Sequence, residues 1–240
     1  MIRLSMMLGA RQRLGEGIAP KLANVDTSLL SVLRLVLYLM VTVAAFGTIV
    51  MVAVESPNPV ALFKDDGPWE WIELSLFAVS AALCFVNARR NEIYAHILEL
   101  CGLLALFAAF RELDHFLDEL VFDGAYKVIN GVILGLFVYL AWIHRWTLTK
   151  TLARFTKTAP FYFFVAAVLV VVYGQIIGQA ELWQALMGDY YVRSVKRVAE
   201  ELAEFMGYLL LFYGALETCF MKDAQAYHPS PAVREARILR

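Results

Sequence analysis

Charge is scarce in this chain: Asp, Glu, Lys and Arg make up 18% of its 240 residues, against about 25% in soluble domains. With 60% apolar residues and a mean hydropathy of +0.62, that scarcity excludes an ordinary soluble domain, whose apolar share is about 45–50%. Neither sign of charge is in excess, the formal net charge being -1, so no nucleic-acid partner is implied. Cysteine is also sparse. Cys84, Cys101 and Cys219 are odd in number and far apart, which excludes a disulfide framework and a Cys-x-x-Cys metal or redox site and leaves them as small packing residues. There is no His-Glu-x-x-His, no Gly-rich phosphate loop and no Gly-x-Ser-x-Gly elbow, so the commonest hydrolase and nucleotide-site chemistries have no foothold. No internal repeat supports an inverted-repeat transporter. Residues Met1 to Leu30 lack the uninterrupted apolar core of a cleavable signal peptide, so this stretch is expected to be retained.

What is present is hydrocarbon in long runs. Six apolar segments, near residues 30–54, 70–88, 93–112, 128–146, 159–180 and 201–221, each approach the roughly 20 residues that cross about 30 Å of lipid. Backbone polar groups in lipid must be satisfied within the segment, so the expectation is an all-α polytopic membrane protein, a bundle of six transmembrane helices. Lys and Arg set the orientation. Arg3, Arg11, Arg13, Lys21, Arg89, Arg90, Arg145, Lys150, Arg154, Lys157, Lys222, Arg234, Arg237 and Arg240 fall on one side, against Lys64, Arg111, Lys127, Arg193, Lys196 and Arg197 on the other. The positive-inside rule then places both termini in the cytoplasm of a multi-pass plasma or inner membrane protein. Three regions follow: a cytoplasmic or interfacial segment over 1–29, a transmembrane domain over 30–221 and a cytoplasmic tail over 222–240. Met1 to Leu14 reads as a basic amphipathic surface helix, Thr147 to Thr158 as a cytoplasmic linker, and Gly178 to Lys196 as containing a short surface helix.

Charge is concentrated where spans two, three and six meet one face. Ionisable groups this close to hydrocarbon are costly and mark a functional hypothesis. Spacing of three or four residues defines a helix face, which groups Glu70, Glu73, Phe77 and Ser80; Glu112, His115 and Glu119; and Glu201, Glu204 and Tyr208 into three stripes. Turned inward, they would line one pocket. A Glu-x-x-His pair with carboxylates from neighbouring helices suits a divalent ion, iron, zinc or manganese. The leading expectation is therefore a metal-dependent membrane enzyme acting on a lipid or membrane-associated substrate. Glu112, His115 and Glu201 are its metal ligands, Glu73 and Glu204 the catalytic carboxylates, and Arg111, Arg193 and Arg197 hold an anionic headgroup.

Two other readings use the same residues. A transporter or channel would bind a proton or small cation on these carboxylates and couple them to Glu99 or Glu217. A noncatalytic assembly or sensing protein would use the charged rim to meet partners. Nearer the opposite face, His96, Glu99, His144 and Glu217 form a second polar set, with His96 and Glu99 spaced to pair. Gly174 and Gly178 have the spacing of a helix-packing motif that could also join two copies of the chain.

Overall fold

The structure, a computed structural model, describes the backbone of residues 2–57 and 68–221, and side chains over 29–57 and 69–221. Every regular element among these residues is helical. The chain falls into two compact units, Met1–Val54 and Glu55–Arg240. The first is the helix α1 (Ile2–Glu55), whose Leu29–Glu55 portion is apolar and long enough to cross a membrane. The amphipathic pattern expected over Met1 to Leu14 concerns side chains outside the described residues, as does the tail beyond Met221.

The second unit contains α2 (Pro68–Arg90), α3 (Ala95–Glu112), α4 (Asp114–Leu120), α5 (Ala125–Ile143), α6 (Arg145–Phe155), α7 (Ala159–Ile177), α8 (Ala180–Met187) and α9 (Arg193–Thr218). Local chemistry explains the ends. Helix α2 starts on Pro68 with Glu70 in its first turn and closes with Arg89 and Arg90, charges that complement the helix dipole. Gly124 sits at φ 85° before α5, a left-handed turn that favours glycine. Pro160 lies in the first turn of α7 behind an extended Thr158, and the Trp183 indole N–H donates to the Ile177 carbonyl at 2.6 Å, fastening α8 to the end of α7.

Four helices are long and apolar enough to span a membrane: Leu29–Glu55, Trp69–Arg90, Ala125–Ile143 and Ala159–Ile177. The helices α3 and α9 interrupt their apolar runs with Glu99, Arg111 and Glu112, and with Glu201, Glu204 and Glu217. These two nevertheless make much of the core. Helix α9 packs on α7 and α2, and α3 packs on α2 and α5. Small residues allow the close approaches: a Cβ on Gly207 of α9 would run into Val171 and the Ala167 carbonyl of α7. Gly174 of α7 faces Ala203 and Glu204 of α9, and Glu200 occupies the space beside Gly178. The glycine pair of α7 is thus used within the chain.

Two expectations need correction. The fourth run does not continue to residue 146, because α5 stops at Ile143 and the chain breaks at His144. Residues 147–158 are not a linker but mostly helix α6, whose Leu148 and Phe155 pack with Ala88, Ile97 and Leu98. Tertiary burial of one face overrides the modest helix propensity of its threonines.

Candidate functional site

Where α2 begins, α3 ends and α9 begins, their polar residues enclose a cavity of about 610 Å³. The stripes explain how. On α2, Phe77 and Ser80 are buried, which fixes the helix rotation and turns Glu73, one turn earlier, into the interior. On α9, Phe205, Tyr208 and Leu209 are buried, so Glu204 and Glu201 follow them round to the same side. Phe77 and Tyr208 stack at 4.4 Å between ring centroids and, with Ala109 of α3, form the apolar plug beneath the cavity.

The polar floor rests on that plug. The Tyr208 hydroxyl lies 3.2 Å from Glu112 Oε1 and 3.1 Å from Glu204 Oε2. A phenol has one hydrogen to give, so it donates to one carboxylate at a time; serving both at once requires the other carboxyl to carry a proton and donate back. Gln175 of α7 donates its side-chain amide to Glu204 Oε1. Glu73 is 3% exposed and lines the cavity; the Trp69 indole, one turn earlier, is the donor facing its carboxyl, and Oε1 has no well-formed hydrogen bond among the described residues. Buried polar atoms are nearly always bonded, and an orphaned carboxylate oxygen is among the costliest exceptions.

Cations close the upper part. Arg111, Arg193, Lys196 and Arg197 all line the cavity, and Arg111 is the cation whose field acts on both Glu112 and Glu204. Lys196 Nζ and Glu200 Oε2 pair at 2.9 Å along one face of α9, a half-exposed contact of the kind worth about 0–1 kcal/mol. The cavity wall is therefore mixed in charge and acidic in balance, with eight carboxylates and four basic side chains.

Every residue singled out from the sequence, Glu73, Glu112, His115, Glu201, Glu204, Arg111, Arg193 and Arg197, borders this one cavity. The Glu112 to His115 stripe, however, is not on one helix. Helix α3 ends at Glu112, and α4 starts at Asp114 after Leu113 adopts φ -86° and ψ 12°. The Asp114 carboxylate accepts the His115 N–H at 2.6 Å, a local bond that competes with helix continuation. His115 and Glu119 are consequently exposed on a separate short helix. Asp118 accepts the Gly124 N–H at 2.9 Å and shapes the turn into α5. Among the described residues no group of three His, Cys, Asp or Glu side chains is placed to hold a metal ion, so Glu112, His115 and Glu201 do not converge as a ligand set.

Tyr208, which belongs to the stripe expected from the sequence, and Gln175 bond the carboxylates from behind the cavity wall. Tyr208 had a signal, since it stands one turn beyond Glu204 on an acidic stripe. Gln175 had none, because its place depends on how α7 docks against α9. In the second polar set, His96 Nδ1 and Glu99 Oε2 are 3.1 Å apart, as their spacing predicts. The His96 and His144 rings lie 3.6 Å apart and nearly parallel, face to face rather than across an ion. No family model, curated protein or solved structure matches the chain.

Proposed function

We propose that this chain is a six-span membrane protein of a plasma or inner membrane, with both termini cytoplasmic, whose outer-face cavity binds a charged, membrane-associated substrate by its cationic group. Four apolar helices support membrane insertion. The two further spans in this reading are α3, of 18 residues, and α9, of 26, which at 1.5 Å per residue reach about 27 and 39 Å. Their ionisable groups gather toward the ends, where water and headgroups meet them.

The observation that carries the binding reading is Glu73: a buried carboxylate with an unserved oxygen, facing a cavity beside two more carboxylates that share one phenol. A ligand N–H or a cation would satisfy that oxygen. Arg111, Arg193 and Arg197 would meet an anionic portion of the same molecule, and guanidinium groups suit phosphate and carboxylate geometry.

The test is calorimetric titration of the purified protein with ethanolamine, a soluble primary amine. Wild type is expected to bind and Glu73→Gln to bind about tenfold or more weakly, the value of one charged hydrogen bond. Equal binding by both contradicts the reading. Parallel metal analysis addresses a divalent ion in the same cavity: iron, zinc or manganese retained by wild type and lost in Glu112→Ala and His115→Ala would replace amine binding with a metal-dependent enzyme, in which a bound ion lowers the pKa of its water. That outcome requires α4 to bring His115 inward.

A further inference from the structure

A second depression adjoins the cavity. The groove between α3 and α5 encloses about 490 Å³ and shares Arg111, Asp114 and Tyr126 with the main cavity as common lining. Its chemistry changes with depth. Arg111 and Lys127 stand at the end nearest the cavity, whereas Phe107, Gly131 and Leu134 line the part further into the apolar span. Leu134 is seven residues beyond Lys127 on α5, about 10 Å by helical rise. Between them sits Asn130, 7% exposed, whose Oδ1 has no hydrogen-bond partner among the described residues. Its carboxamide offers an acceptor or, turned over, a donor.

A cationic end, a buried amide half-way and an apolar lower wall follow the order of phosphate, glycerol and acyl chain in a phospholipid. Beyond the shared wall, the carboxylate floor lies where the headgroup would reach. We propose that the α3–α5 groove is a side opening through which one aminophospholipid enters from the bilayer, its phosphate held by Arg111 and Lys127 and its primary ammonium by Glu73, Glu112 and Glu204. This rests on the cation-binding reading of the cavity and names its ligand class.

The floor selects the headgroup. Glu73 Oε1 has no well-formed hydrogen bond among the described residues; a primary ammonium supplies three N–H groups and a quaternary ammonium none. Quaternary ammonium sites are built from several aromatic faces; among the described residues lining this cavity the aromatic side chains are Trp69 and Tyr126. A lipid such as phosphatidylglycerol, lacking any cation, would leave the carboxylates unserved. Both volumes fall within the roughly 300–1,000 Å³ typical of small-molecule sites.

Native mass spectrometry of the full chain, exchanged into phosphatidylethanolamine, phosphatidylcholine or phosphatidylglycerol, reads this directly. One phosphatidylethanolamine is expected to stay bound about tenfold more tightly than either other lipid, and Glu73→Gln is expected to abolish that preference. Lys127→Glu combined with Gly131→Trp puts a bulky side chain and an opposite charge in the groove; a Cβ on Gly131 meets nothing within 4 Å, so the new side chain leaves the backbone into open space. This pair is expected to lower lipid retention while leaving soluble ethanolamine binding within about twofold. Equal retention of the three lipids, or unchanged retention in the groove variant, overturns the lipid proposal while ethanolamine binding still stands. Loss of ethanolamine binding in wild type removes the cavity reading itself.

Discussion

Tyr208 does two jobs with one oxygen. Its ring seals the apolar plug against Phe77, and its hydroxyl meets Glu112 and Glu204. Removing the hydroxyl takes the donor from whichever carboxylate it serves and the shared oxygen from the other. Tyr208→Phe is therefore expected to destabilise the protein by about 1–3 kcal/mol, the usual penalty for stranding a buried polar group, seen as a lower thermal midpoint in detergent. Glu73→Gln is the counterpart. It replaces a buried orphaned carboxylate by a neutral amide of the same shape, so stability is expected to hold or rise while amine binding falls, the trade between stability and function that ligand sites commonly show. A large loss of stability in Glu73→Gln would mean that the carboxylate serves the fold instead.

At the scale of elements, the bundle depends on how closely α7 and α9 approach. Gly207→Val forces a branched side chain against Val171 and the Ala167 carbonyl, and overpacking of this kind costs about 1–3 kcal/mol. It should also displace Glu204 and Tyr208, which ride on the same helix. Gly131→Val on α5, with open space around it, is expected to stay within about 0.5 kcal/mol of wild type. Similar thermal midpoints for the two variants would contradict the packing described for α9.

The elements also show where sequence patterns end. The apolar runs of α1, α2, α5 and α7 were legible because lipid demands length and uniform hydrophobicity, and the spacing of three and four residues between Glu70, Glu73 and Phe77 revealed which face of α2 turns inward. The break after Glu112 was not legible. Glu112 and His115 have the spacing of one helix face, and only the bond from the His115 N–H to Asp114 and the turn at Leu113 separate them. Helix α6 was hidden by threonines that read as linker, since its Leu148 and Phe155 acquire meaning only against Ala88 and Leu98 of other helices. Gln175 was hidden for the same reason: rotation of one helix against another is not written in either alone.

Across the whole molecule, a polar cavity bordered by acidic and basic side chains lies where α2 begins, α3 ends and α9 begins. Carboxylates from α2, α3, α4 and α9 and basic residues from α3 and α9 border it, and an amphipathic groove between α3 and α5 shares part of its wall. Burial favours a ligand site over a ring of headgroup contacts, whose carboxylates would turn to water: Glu73 and Glu204 are buried. The arrangement accounts for charged residues within an apolar chain that has little charge to place. The most direct measurement is an experimental density map of the protein in a phosphatidylethanolamine bilayer disc. The account predicts six helices crossing the disc, with density from a lipid headgroup reaching between Glu73, Glu112 and Glu204. A map in which Glu73 turns onto a basic neighbour of its own chain, and the cavity holds only solvent, would contradict it.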